Sequence, residues 1–358
     1  MVLRTLTGGD ALTTNSPTRT EVETADAQPV GPWQKVKGVL MARTMVLFLV
    51  NLLIFAILAA LRPKAFLDWM NFKAVFSLMI YDLLLASGMT YVLILGGIDL
   101  SVGSVIALVS VVIALSLKSG HMLPVSLTFG LATALICGLF NGIAVARFRI
   151  APFLITLATM SIARGLATVT TTGQYVSFRN PLFIWFGRWQ LPFYTSENAI
   201  YSVPVILLIV LAILAVFDLL IKKWKPLNQA FYIGTNREAA VLSGIPVNRT
   251  IIVGYLICAL FCFIAATFMT ANNRIGYANY GIGAEMRAIA ASVVGGCSMA
   301  GGSGSLIGTF LGVTMLALIG NGFILLNGSP NWQQAATGVI LILAVAADAL
   351  INRNKRKE

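Results

Sequence analysis

Long apolar segments with almost no charge decide what this chain can fold into. They cover residues 44–61, 72–95, 102–117, 123–146, 152–171, 203–220, 251–270, 286–296, 306–325 and 333–350. Apolar residues make up 58% of the 358 positions and charged residues 11%, against roughly 45–50% and about 25% in soluble domains. A water-facing shell around that much apolar side chain needs more charge than is present, which excludes a conventional cytosolic enzyme and a disordered chain. A bilayer accepts such segments, because a helix of ~20 apolar residues crosses its core with every backbone group paired. Apolar residues run all round the segments rather than in one stripe, as burial in lipid or in a bundle requires. The expected fold is an all-α polytopic membrane protein with about ten transmembrane helices in one bundle, broken at Gly-rich turns.

Charge sets the expected orientation. The chain carries 25 Lys and Arg against 13 Asp and Glu, a net +12. In a soluble protein that excess points to nucleic acid; here cytoplasmic loops collect the cations instead, and the expected surroundings are membrane lipid, not nucleic acid. With the N-terminus inside and ten spans, fourteen Lys and Arg fall on the inner side and eight on the outer, Arg287 among the latter. Both termini are therefore expected in the cytoplasm. Residues 1–43 are polar and Thr-rich and lack the order of a signal peptide, so they are expected to form a cytoplasmic tail. A membrane domain over 44–350 follows, then a basic tail over 351–358. The outer loop 173–202 is aromatic and suits an interfacial anchor or a partner surface. The inner loop 222–250 carries a run of helix formers between Gly234 and Gly244, either a docking element or a solvated connector.

Chemistry-bearing motifs are scarce. The run Gly301-Gly302-Ser303-Gly304-Ser305 lacks the Lys of a phosphate-binding loop, and there is no nucleophile elbow or paired catalytic carboxylate. The four cysteines lie in or beside apolar stretches without metal-ligand spacing, so no metal site or bound cofactor is expected, and Cys258 and Cys262 suit packing. The chain is expected to be non-catalytic, with any ATP hydrolysed on another subunit.

Two features interrupt the apolar pattern. Leu95-Gly96-Gly97-Ile98-Asp99-Leu100-Ser101 breaks one segment from the next, and Val294 to Ile307 echoes it, with Gly-Gly before and Gly-Ser-apolar-Ile after. Such echoes mark transporters built from two related halves, inverted or parallel. Helix-break or path candidates are Gly96, Gly97, Asp99, Ser101 and Gly103 in the first break, Asn141, and Gly295, Gly296, Ser298, Gly301 and Gly302 in the second. Asp99 or Ser101 suits a cap for the following helix as well as a path contact. Residues 286–305 read either as a full span or as a re-entrant half-helix. Charges within spans cost roughly 2.5–3.5 kcal/mol each on insertion scales. Asp218 and Asp348 lie near inner ends, and Asp218 has Lys222 four residues on. Asp82 and Arg164 lie deeper, and either pair with each other or, for Arg164, snorkel outward.

The residues as written resemble a known family. "YVLILGGIDLSVGSVIAL" (91–108), "NGIAVARFRIAPFLITLATMSIARGLA" (141–167), "GTNREAAVLSGIPV" (234–247), "GGCSMAGGSGSLIGTFLG" (295–312) and "NGFILLNGSPNWQQAATG" (321–338) resemble the permease subunits of bacterial sugar ABC importers, of the ribose, xylose, arabinose and galactose type. The likeness covers residues 45–350; Cys297 departs from it, standing where a small hydroxyl residue is expected. The resemblance implies a type II importer architecture like that of the vitamin B12 permease, in the bacterial inner membrane. It implies a second permease copy or sister permease, two ATPase domains carrying ATP and Mg, and a periplasmic sugar-binding protein. It also implies that Gly234, Asn236, Glu238, Ala239, Leu242 and Gly244 form the ATPase-coupling segment. A secondary transporter coupled to ions through Asp82, Asp99 or Arg164 is the alternative, as is a permease of the same superfamily for nucleosides or branched-chain amino acids.

Overall fold

A computed structural model of the chain describes residues 43–196, 199–328 and 330–355. The described residues are mostly helical. In chain order the elements are α1 (Arg43–Leu61), α2 (Pro63–Phe66), α3 (Trp69–Ile94), α4 (Val102–Lys118), α5 (Leu123–Ala146), α6 (Pro152–Thr171), β1 (Val176–Ser177), α7 (Pro181–Arg188), β2 (Gln190–Ser196) and β3 (Ala199–Pro204). They continue with α8 (Val205–Lys223), α9 (Lys225–Thr235), α10 (Arg237–Leu242), α11 (Val247–Asn273), β4 (Ile275–Gly276), α12 (Ala284–Val294), α13 (Leu306–Leu325) and α14 (Pro330–Lys355). All but Arg43 of the 1–43 tail, and the last three residues of the 351–358 tail, lie outside the described residues.

Local chemistry explains where helices start. Proline stands in the first turn of α5, α6, α7 and α9, where its missing N–H is no loss. Asn180, Asn236 and Ser305 accept hydrogen bonds from the N–H groups of Phe183, Ala239 and Gly308 and so cap α7, α10 and α13. Seven helices (α1, α3, α5, α6, α8, α11 and α13) are long and apolar enough to cross a membrane. Helix α4 and the stretch Ala335–Ala346 within α14 are shorter apolar helices.

Helix α4 is buried along nearly its whole length and is the centre of the bundle, with α5, α6 and α11 around it. Small residues let these backbones approach, as in helix packing within membranes. A side chain at Gly138 or Gly142 of α5 would meet Tyr255, Ala259 or Ile252 of α11, and one at Gly88 of α3 would meet Cys258. Cys258 and Cys262 are both buried in this packing. At the far end, Trp69 packs edge-on against Phe193 and donates to Ser202 O. There the 173–202 loop folds into the β2–β3 hairpin and the short α7, which buries Phe183 and Gly187 and exposes Leu182 and Trp185.

The 286–305 region settles as a half-helix preceded by irregular backbone. Helix α11 ends at Arg274 in the left-handed conformation (φ 62°), and β4 pairs with β1. The chain then runs beside α4, with Gly276 against Ser110 and Gly281 against Gly103. Helix α12, of 11 residues, rises only ~16 Å, too little for a core of ~30 Å. It runs alongside α3 in the same direction: Arg287 meets Asp82, and Ser292 meets Ala86 and Thr90.

Irregular backbone at that depth must be paired by protein, and the charges within the spans do this. Arg164 donates to Ala278 O and, at 2.7 Å, to Tyr280 O. Asp82 pairs with Arg287 of α12 at 3.1 Å. One alternative falls away here and one expectation is corrected. Asp82 and Arg164 do not pair with each other; they hold the same broken span from two sides. Nor does Arg287 lie in an outer loop: the half-helix begins within the bundle, so the residue that looked extramembranous sits beside the middle of α3. Asp218 bonds Lys222 at 2.6 Å, the local pairing its spacing predicts. The side chain of Asp348 lies outside the described residues.

Replacing Arg164 with Gln should strand two carbonyls and lower stability by ~1–3 kcal/mol. Heating the detergent-solubilised chain and following its monodisperse fraction by fluorescence size-exclusion checks this. Arg164→Lys should retain part of the loss, and an unchanged melting curve for Arg164→Gln would show that the carbonyls are paired in another way.

Candidate functional site: a glycine junction between two turns and a surface helix

The two breaks close in the same way. After α3, Gly96 N–H donates to Leu93 O at 2.8 Å and Gly97 N–H to Val92 O at 2.9 Å. After α12, Gly296 N–H donates to Val293 O and Cys297 N–H to Ser292 O, both at 3.0 Å. This is a Schellman cap, which needs a left-handed residue at its turn; Gly96 (φ 80°) and Gly296 (φ 104°) supply it. Residue by residue, then, Gly96 corresponds to Gly296 and Gly97 to Cys297, one position off the alignment of the two Gly-Gly pairs. Helices α3 and α12 run in the same direction, so the two breaks lie side by side in the same sense.

The turns pack on each other and on a third segment. Gly302 N–H donates to Ile94 O at 2.9 Å. A side chain at Gly301 (φ 90°) would lie 2.8 Å from Gly234 O and 2.9 Å from the Cα of Gly96. One at Gly234 would strike Ile94 O and Gly302 N, and one at Gly302 would strike Thr235. Three backbones thus meet in direct contact, with the Thr235 hydroxyl lying against Gly302. Gly234 and Thr235 are the last turn of α9, and α10 follows directly. Tyr91 adds a further tie, donating from its hydroxyl to Leu227 O of α9 at 3.1 Å.

Each turn is also anchored by buried polar groups. Asp99, only 3% exposed, accepts from Ser101 N–H at 2.9 Å and from Ser101 Oγ at 2.5 Å. Asn141 of α5 donates to Ser101 Oγ at 3.1 Å, and Thr159 of α6 donates to Asn141 Oδ1 at 2.6 Å. This chain bonds the first break to two helices. The carboxylate takes the N–H two residues on, as an Asx turn; neither Asp99 nor Ser101 caps α4 through a side-chain bond to its first turn. Gly103, one residue into α4, faces Gly281 and Glu285 of the broken span. In the second turn Ser298 O accepts from Gly301 N–H at 3.2 Å, and Gly295 packs on Gly308. Beneath it Thr90 Oγ1 lies 2.7 Å from Thr309 Oγ1 and 3.0 Å from Ser292 Oγ, with Cys297 Sγ 3.8 Å from Thr90. Asn141 was picked from the sequence, but its partner Thr159 and the Thr90, Ser292 and Thr309 group were not. Their only sequence signal is a hydroxyl in an apolar segment, which ordinarily returns to its own helix.

The surface side of the junction is the segment 234–244. Asn236 caps α10, and Glu238 in its first turn suits the positive end of the helix dipole. Gly244 ends it with φ 76°. Asn236, Glu238, Ala239, Leu242 and Gly244 are exposed, while Ala240 faces inward. Leu242 is 89% exposed and Val241 58%. Both line a cavity of about 540 Å³ with Arg149, Arg237 and Glu238. An apolar tip rimmed by charge is the form of a docking element. Gly234, in the last turn of α9, bears on both turns, and α10 follows it directly. Among the described residues no three His, Cys, Asp or Glu come together as metal ligands.

Gly234→Val should drive a branched side chain into Ile94 O and Gly302, costing ~1–3 kcal/mol as overpacking does. A lower midpoint in the same thermal assay checks it; an unchanged midpoint would mean that the junction has slack. Asn141→Leu should cut the link between Ser101 and Thr159, lowering stability by ~1–3 kcal/mol in the same thermal assay, with Asn141→Gln less affected.

The family described as branched-chain amino acid transport system / permease component matches residues 71–345. A probable ABC transporter permease protein of Sinorhizobium fredii is 32% identical, over 92% of this chain and 97% of its own. The ribose import permease protein of Bacillus subtilis is 31% identical, over 83% and 90%. The L-arabinose transport system permease protein of Escherichia coli is 33% identical, over 85% and 91%. No solved structure gives a significant match. Seven apolar helices of spanning length and a family match over most of the chain lead to one conclusion: this is a multi-pass membrane permease that belongs to the branched-chain amino acid transport system / permease component family.

Proposed function

We propose that this chain is the permease subunit of an ATP-driven importer that carries a monosaccharide (a pentose, a hexose or a related polyol) into the cytoplasm. The observation that carries the reading is the glycine junction, where an exposed surface helix is joined through Gly234 to both span-breaking turns. A lever of that kind has a use only if something outside the membrane pushes it. The ribose and L-arabinose permeases among the relatives supply the substrate class. In this reading two ATPase domains hold ATP and Mg and dock on α10, a binding protein delivers the sugar from the periplasm, and a second permease completes the path. The chain binds no cofactor itself. Ten spans, counting α4, the broken span with α12, and α14 beside the seven longer helices, put both termini in the cytoplasm of an inner-membrane protein. The architecture is of the vitamin B12 permease type.

Ion coupling has less support, because the groups it needs are engaged elsewhere. Asp82 is paired with Arg287, Arg164 holds backbone carbonyls, and Asp99 is turned inward onto Ser101.

Ala239→Pro removes the N–H that Asn236 caps in the first turn of α10 and disfavours helical backbone at Glu238, at a cost of ~1–2 kcal/mol to the helix. It is expected to abolish uptake of labelled ribose or arabinose in a strain lacking the chromosomal copy and to uncouple the ATPase, with insertion unchanged. Uptake at the normal rate would remove the coupling role of α10. Accumulation of sugar by the purified chain alone in liposomes, driven by an ion gradient, would overturn the whole reading.

A further inference from the structure

At the hairpin end a cavity of about 290 Å³ lies among α3, α7, the hairpin, α8 and α11, close to the ~300 Å³ at which small-ligand sites begin. Its polar side chains include Tyr81, Arg188, Gln190 and Asn272. Their bonding is incomplete. Arg188 spends Nε on Asn272 O at 3.1 Å, while its two terminal nitrogens have no partner among the described residues. The Tyr81 hydroxyl accepts from Asn272 Nδ2 at 3.4 Å and keeps its own proton. Gln190 Oε1 accepts from Ser202 Oγ at 2.6 Å, which leaves the amide nitrogen to donate. The open groups are mostly donors, the lining carries one cation, and it contains no Asp or Glu.

That balance selects among ligands. A sugar brings hydroxyl donors that need acceptors, and here they would find few. A phosphate diester brings only acceptors and a negative charge, which a guanidinium fork and neighbouring donors match. Position narrows the source. Ile206 and Asn272 line the cavity at the ends of α8 and α11, the level at which headgroups meet the hydrocarbon core. Directly beside it α7 exposes Leu182 and Trp185, and Trp185 stacks on Trp189 at 5.1 Å. A donor-rich pocket flanked by exposed apolar side chains has the two-part form of a phospholipid.

We propose that this cavity holds the headgroup of an anionic phospholipid of the phosphatidylglycerol type, its phosphate on Arg188, Tyr81 and Gln190 and its chains along α7. An ethanolamine headgroup would add a second cation beside Arg188 with no carboxylate to receive it, so the glycerol headgroup is preferred. This inference rests on the membrane assignment, not on the transported sugar.

The test is native mass spectrometry of the full chain purified in micelles doped with equal phosphatidylglycerol and phosphatidylethanolamine. Phosphatidylglycerol should be retained selectively. Arg188→Gln should lower its retention ~10-fold, equivalent to ~1.4 kcal/mol, with Arg188→Lys in between. Tyr81→Phe keeps the ring and guards against a folding artefact; it should lower retention by a smaller factor. A parallel arm adds millimolar glycerol 3-phosphate. Failure to displace the lipid supports a membrane source, and full displacement overturns it in favour of a soluble phosphate. Equal retention of both lipids, or retention unchanged in both Arg188→Gln and Tyr81→Phe, overturns the proposal.

Discussion

The backbone between Gly276 and Ala284 leaves the helical state inside an apolar bundle, and its polar groups must be paired without water. Much of the rest follows from that need. Gly103 and Gly281 carry no side chains at the crossing, so the irregular strand lies directly on α4. Arg164 reaches from α6 to two of its carbonyls. Asp82 of α3 fixes Arg287 at the start of the half-helix. A charge is costly in hydrocarbon, but an unpaired carbonyl is costly as well, and here one offsets the other. The charges within the spans are therefore parts of the scaffold, which leaves fewer of them to act as ion-coupling groups.

A second constraint acts at the glycine junction. Three chain segments meet backbone to backbone at Gly96, Gly234, Gly301 and Gly302. Side chains would serve poorly there, because rotamers yield under load and blunt a displacement, whereas backbones in contact pass it on. Glycine is needed twice over, for close approach and for the left-handed turns at Gly96, Gly301 and Gly302. The polar anchors beneath each turn fix what the glycines leave free. Asn141 and Thr159 hold the first turn to α5 and α6, and Thr90 with Thr309 ties α3 to α13 beneath the second.

Some of this was legible in the residues and some was not. Apolar runs gave the seven long helices and the short α4 with boundaries off by a few residues, since length and hydrophobicity are local properties. Gly-Gly marked both breaks, because glycine takes the left-handed angles of a Schellman turn most readily, although Thr172 and Asn327 fill that place at the ends of α6 and α13. The one-position shift that equates Gly97 with Cys297 was invisible, as the eye aligns identical letters while the fold aligns hydrogen bonds. Arg287 was misplaced for a related reason: counting spans assumes that each is helical throughout, and this one is helical for only half its course. Pairing Asp82 with Arg164 was reasonable by charge alone, yet Arg164 is claimed by carbonyls that no sequence pattern announces.

By itself the sequence determined the solvent, the helical class, the places where the spans break and the exposed helix between Gly234 and Gly244, because each depends on residues close together in the chain. Only the tertiary structure decided which charges pair, that α3 and α12 run side by side in the same direction, and that Gly234 touches both turns. Those facts join residues as much as 205 positions apart, such as Asp82 and Arg287. A contact across that distance is set by how helices pack in three dimensions, and packing leaves no period or motif for a single chain of letters to display.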